Sequence, residues 1–439
     1  MTRRRETIPP LLLVAFFCLV SSARAEPTAE EHLARGIEYN QAAEFDQAIA
    51  EFDQAIALDP SKSIFYYDRA LAYARKGDVG KALADYTKTI ELNPADGSAY
   101  NNRANVYFLT RDFEKALADY DEALKIHPDY AEAYFNRGSV KFALGRPDDA
   151  AADFSKSLEL KPGNSVAHKN RGMSYAQTQH WDEAIADYGR AIEADAAYTD
   201  AYFQRALAYM AKQDPAHAMP DFDKTIELDS RHADAYYNRA IVHSQAGHVE
   251  QALADYSKTI EFEPRHAFAY NNRGLIYQSR GDFDKAIADY TKSIELNPGD
   301  GFSYNNRGLA YDLKGESEKA LADFDRAIEL KLAFAEVFDN RGLAHFHEKK
   351  FEEAVADFGK ALEINPRYVK AQYDRGLAFY GAGLYERSEA DYRAAMDLAI
   401  YERAYEDFTK YFPGRQPADS NNVRERITSL FREKLGIQS

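Results

Sequence analysis

Eleven histidines, one cysteine and 71 carboxylates are the raw material for chemistry in this 439-residue chain. Catalysis needs an asymmetric constellation of acid, base and nucleophile, and none stands out. The histidines are scattered, and His345 and His347, two residues apart, point to different sides of a helix. No glycine-rich loop follows a strand, as a phosphate cradle would require. Cys18 is the single thiol, so neither disulfides nor cysteine-ligated metals are expected, and no cofactor or enzymatic activity either. What recurs instead is a set of polar groups at a fixed interval. Arginine returns every 34 residues from Arg35 to Arg375, and an acid follows each one 16 residues later, as in Arg273 with Asp289 and Arg307 with Asp323. Both positions fall at the edge of a buried helix face. An unpaired buried charge is expensive, so these residues are expected to form a ladder of structural ion pairs, within each repeat or to its neighbour. The second recurring group is an amide one residue before the arginine: Asn102, Asn136, Asn170, Asn238, Asn272, Asn306 and Asn340. A side-chain amide both donates and accepts, so it can pair with a peptide unit. Aromatic residues adjoin this column, at Tyr67, Phe135, Phe203, Tyr237 and Tyr373 and, further along, at Phe108, Phe142, Phe346 and Tyr380. They are read as ligand contacts, with partial packing against the next helix as the alternative.

The elements that must position these groups follow from the same interval. The unit is clearest at Ala267–Asp300, and eleven copies fit without a gap from Ala29 to Glu402. Counting position 1 from Ala267, residues Tyr270, Gly274 and Tyr277 have helical spacing. Gly281-Asp282 breaks that helix, and a second follows with Ala286, Tyr290, Ser293 and Ile294 on one face. It stops at Asn297-Pro298, since proline cannot continue a helix. Position 8 is always Gly or Ala and position 20 is Ala in all copies but one, so the paired helices can approach closely. A period of this length built from two helices is the signature of an all-α solenoid. The copy at Thr199–His232 is the least regular, with Pro220 expected to kink its second helix.

These residues resemble the tetratricopeptide repeat: a large aromatic at position 4, small at 8, Tyr at 11, Ala at 20, Phe or Tyr at 24 and Pro at 32. Lys141, His243 and His345 depart from the pattern at position 11, and Ala196, Ser230, Leu332 and Ile400 at position 32. The resemblance implies a right-handed superhelix of antiparallel helix pairs whose first helices line a concave, partner-binding groove. The asparagine column would then lie in that groove. The Asn and Arg positions are also similar to the clamp by which chaperone adaptors hold an acidic peptide tail. That clamp needs cations at position 2, which here is never basic before Lys370, so the carboxylate grip does not carry over.

The ends differ from the middle. Arg3, Arg4 and Arg5, the apolar run Leu11–Val20 and the small-x-small site Ala23-Arg24-Ala25 read as a cleavable export signal over residues 1–25. Its loss removes four arginines and one glutamate, taking the net charge from −16 to −19. A negative chain lacks the basic footprint that nucleic acid demands, and stable membrane insertion after cleavage is not expected. Residues 26–402 form the array, and residues 403–439 a helical cap in which Ser420 starts a helix carrying Val423, Ile427, Leu430, Phe431 and Leu435 on one face. The chain is therefore expected to be an exported, periplasmic or secreted, scaffold that binds protein or peptide segments. The alternatives are an accessory subunit of an envelope or polysaccharide-export complex, and an adaptor tethered through an uncleaved Leu11–Val20.

Overall fold

A computed structural model describes residues 26–395 and Ile427; residues 1–25, where an export signal is expected, and the rest of the C-terminal segment lie outside the described residues. Among those described there are 22 helices and no strands, running from α1 (Ala29–Gln41) to α22 (Tyr385–Ala394). They come in consecutive pairs, odd-numbered helices first. The chain divides into two compact units, Met1–Ala196 and Ala197–Ser439. The division falls beside Ala196, where the usual proline is missing.

One pair shows why the sequence folds this way. In α15 (Ala267–Ser279) and α16 (Phe283–Leu296), Ala269, Ala286 and Tyr290 are completely buried. Gly274 is required by contact: a Cβ there would stand 2.8 Å from Cε1 of Tyr290. Where position 8 is alanine, as at Ala240, the methyl is itself buried. Between the helices Gly281 takes φ +76°, and the Asp282 N–H bonds the Tyr277 carbonyl at 2.9 Å. This is the left-handed turn that closes a helix C-terminus. Every repeat uses it, with glycine in some and with Ala43, Arg111, Gln179, Gln213 and Lys349 held at φ 59–62° in the others.

The irregular repeat keeps the plan. The helix α12 (Pro215–Leu228) continues through Pro220 as one element, with Phe222 fully buried. At the terminal repeat, fully buried Ile427 joins the cluster of Tyr373, Leu377, Tyr380 and Tyr392. No helix among the described residues is long and apolar enough to cross a membrane.

Candidate functional site

The arginines organise the face between paired helices. Arg273 donates from Nε and Nη2 to the two carboxylate oxygens of Asp289, both at 2.8 Å, tying α15 to α16. Its Nη1 reaches back to Ser257 Oγ of the preceding repeat at 3.1 Å. Arg307 does the same with Asp323 at 2.7 Å and Thr291 at 3.1 Å. These two arginines thus serve both their own repeat and the one before. Arg273 also lies over Tyr270, 5.8 Å from the ring centre. The side chains of Arg273 and Asp289 are 18% and 9% exposed, and the bonds from Asp289 hold the guanidinium above its ordinary pKa. In the other unit, burial alone would raise the Asp187 carboxyl, but Arg171, His168 and Arg190 bring it down to about 2. The first repeat differs, with Glu51 paired to His32 at 2.6 Å.

The residues at position 11 follow the charge in this ladder. At Arg103, Arg171, Arg273 and Arg307 Nη1 meets Ser or Thr of the repeat before. At Arg137, Arg239 and Arg341 it meets a second carboxylate, Asp121, Asp223 or Asp325, at 2.6–2.7 Å. Those are the repeats in which position 11 is Lys141, His243 or His345 rather than tyrosine. Lys141 Nζ lies 2.7 Å from Asp153 Oδ2 and balances the extra charge. Asp53, opposite Tyr73, is the exception. Burial pushes the two imidazoles below their ordinary value despite the nearby Asp255 and Asp357, and Nδ1 of each is buried with no hydrogen-bond partner.

The seven asparagines are half-buried rather than open. The amide of Asn102 donates to the Tyr67 hydroxyl at 2.9 Å, and that of Asn272 to Tyr237 at 3.2 Å. Asn136, Asn306 and Asn340 donate to Asn101, Asn271 and Asn305 at 3.1–3.2 Å. In each case position 6 of one repeat reaches position 5 of the repeat before. Phe203 precedes Asn238 in that register and offers no acceptor, so Asn238 turns to the Asp234 carbonyl of its own helix at 2.8 Å. Phe135 stands in the same relation to Asn170. Position 6 is therefore a junction residue with unused hydrogen-bonding capacity, not a detached column facing solvent. Where repeat 2 has Asp68 instead, burial raises its carboxyl to about 6.

The aromatics at position 5 pack inward. Phe203 and Tyr373 are buried, and Tyr67, Phe135 and Tyr237 are half-buried. All five rest against the position-24 ring of the same repeat, with centroids 5.7–6.2 Å apart. Phe346 and Tyr380 are likewise buried. Packing takes these rings because position 5 lies close enough to position 24 to cover it. The exposed apolar residue on this face is Leu275 at position 9, 42% exposed. A recess of 440 Å³ opens between α13 (Ala233–Gln245) and α15, with Ile241, Leu275 and Ile276 as its apolar wall and Ser244, Gln245 and Asn272 as its polar groups. Leu207, Ile241, Leu309 and Leu343 hold the same position half-buried, and Leu377 is buried in the terminal cluster. Lys370, the cation at position 2, is not available: it is held by buried Asp339 and by Asp374 at 2.9 Å.

Profiles described as tetratricopeptide repeat match residues 33–97, 96–163, 169–233, 222–254, 267–300 and 302–331, and one described as TPR repeat matches 342–383, together more than half of the chain. Among solved structures, the chain is similar to YrrB, described as a TPR protein with an unusual peptide-binding site (25% identity, 43% of this chain and 97% of that one, TM-score 0.40). It is similar also to a tetratricopeptide repeat protein from Parabacteroides merdae (19% identity, 57% and 98%, TM-score 0.42) and to yeast Tom70 (17% identity, 94% and 97%, TM-score 0.35). No curated protein gives a significant match.

Proposed function

The chain belongs to the tetratricopeptide repeat family, and from that membership we propose that it is a non-catalytic scaffold holding an extended segment of a partner protein along its first helices. Proteins of this family serve as protein-interaction scaffolds. The recess between α13 and α15 carries the reading for this chain. Its Leu275 and Ile241 offer an apolar seat for a partner side chain, and the spare capacity of Asn272 and Gln245 offers hydrogen bonds to the adjoining peptide unit. The net charge of −16 favours protein over nucleic acid.

The residues 1–25 support export, and the scaffold would then work in the periplasm or outside the cell. N-terminal sequencing of the mature protein should begin at Glu26; an intact Leu11–Val20 would place it on a tether instead. For the binding face, Leu275→Glu should weaken capture of a partner segment about tenfold or more, about 1.4 kcal/mol or more, with the melting curve unchanged. Full affinity in that variant would remove the recess from the binding face.

A further inference from the structure

In the second unit Asp234, Glu263 and His266 converge, with one ligand atom of each within 4.8 Å of the others. Asp234 is the second residue of α13, and the other two lie in the turn before α15. His266 caps α15 by accepting the Ala269 N–H at Nδ1, 3.1 Å away. The neutral ring then carries its hydrogen on Nε2, which leaves no lone pair there for a metal. Its plane packs against Tyr237 with centroids 4.5 Å apart. Neither carboxylate takes part in an ion pair among the described residues, whereas neighbouring surface acids such as Glu261 and Glu295 are held by Lys258 and Lys292 at 2.8 and 2.9 Å.

Beside this cluster the rim turns apolar. Phe268 and Phe302 are the second residues of α15 and α17 (Gly301–Leu313), and Phe334 caps α19 (Ala335–His347). They are 59%, 54% and 53% exposed. The Phe268 ring lies 6.5 Å from His266, and Phe302 lies 5.9 Å from Phe334. Glu336 follows Phe334 by two residues, again without an ion pair among the described residues. At position 2, which Phe268 and Phe302 hold, other repeats carry Ser98, Glu132 or Asp200, so exposed phenylalanine is not a demand of the fold there. Clustered apolar exposure rimmed by charge marks an interaction site.

We propose that this rim is a docking strip for a partner segment in which bulky apolar side chains alternate with lysine or arginine. The apolar side chains cover Phe268, Phe302 and Phe334. One ammonium or guanidinium sits between Asp234 and Glu263, and another reaches Glu336. The occupant is fixed by charge: three unpaired carboxylates border the phenylalanines, on a chain whose net charge is −16. This rests on the scaffold reading above and names the chemistry of the partner.

The probe is a labelled peptide of alternating lysine and leucine, titrated by fluorescence anisotropy against the full chain, with its glutamate–leucine counterpart as control. The lysine peptide should bind and the glutamate peptide should not. Both the Phe268→Ala/Phe302→Ala/Phe334→Ala variant and the Asp234→Asn/Glu263→Gln variant should bind about tenfold more weakly or worse. Added salt should weaken the wild type more than the second variant. The changes are at exposed side chains, and unchanged melting curves verify the fold. Equal binding of both peptides, or wild-type affinity in either variant, overturns the proposal. So does zinc binding that His266→Gln abolishes, which makes the cluster a metal site, or self-association that the phenylalanine variant abolishes, which gives the strip to a second copy. A partner segment that loses affinity through Leu275→Glu but not through the strip variants sinks the strip and leaves the groove reading standing; the reverse pattern sinks the groove reading alone.

Discussion

Asn272 donates its side-chain amide to the hydroxyl of Tyr237, 3.2 Å away and 35 residues earlier in the chain. The bond ties one first helix to the previous one. Tyr237→Phe and Asn272→Ala should each lower stability by about 1 kcal/mol, a usual net value for one hydrogen bond. The double variant should lose little more, giving a coupling energy of similar size in a double-mutant cycle. Asn238→Ala, which breaks no bond between repeats, should stay within about 0.5 kcal/mol of the wild type. Additive effects at Tyr237 and Asn272 would show that the bond does not form in solution.

The arginine ladder predicts a steeper loss. Arg273→Leu leaves Asp289 buried beside no cation, and removing one partner of a buried pair costs about 3 kcal/mol or more. Replacing both residues by leucine should restore much of that loss. Chemical denaturation of the three variants checks the order. A single variant as stable as the wild type would mean that Asp289 is adequately solvated without its partner.

Gln213 and Lys349 occupy the left-handed turn at φ 59° and 60°, where a side chain costs about 1–2 kcal/mol. Gln213→Gly and Lys349→Gly should raise the melting temperature, less the entropy that glycine adds to the unfolded chain. Gly281→Ala should lower it. A fall in both glycine variants would refute the argument from backbone strain.

The pH dependence has a definite sign. Burial keeps His243 below its ordinary pKa, opposed by Asp255 and Asp223 and aided by Arg239 and His248. Burial does the same at His345, opposed by Asp357 and Glu353 and aided by Arg341 and Lys350. Protonation would also place an N–H on a buried atom with no acceptor. The unfolded chain therefore takes up these protons first, and stability should fall as pH drops below about 6.5. The His243→Tyr/His345→Tyr variant, which carries the residue of the neighbouring repeats, should lose part of that slope between pH 7 and 5. Asp187, held at about 2, contributes only in stronger acid. An unchanged slope would show that other groups dominate this window.

The helices, the turns and the partner acids of Arg273 and Arg307 were legible in the sequence, because a strict interval repeats the same physical argument many times over. The third link, from Arg273 to Ser257, was not, since it needs the distance between successive repeats. The bonds of the asparagines were not legible for the same reason: a helix wheel separates core from surface but does not show a neighbour's Tyr237 within reach. The burial of Phe203 and Tyr373 was not legible because position 5 lies at the margin of the wheel, where the ring of position 24 decides burial. Pro220 was expected to kink α12, and the helix runs from Pro215 to Leu228 with Pro220 inside it and Phe222 fully buried.

The backward reach of the arginine and the amide makes each junction depend on only two adjoining units. Duplicating or excising a whole 34-residue stretch in the gene would therefore leave every remaining arginine from Arg69 onward with its own aspartate. What changes is the new neighbour: an asparagine copied to follow Phe203 loses its acceptor, while one copied to follow Tyr237 or Asn271 keeps it. On the scaffold reading proposed above, adding or removing whole repeats would change the length of partner that the array can span. Whether a new seam is tolerated rests on the residues that happen to meet there.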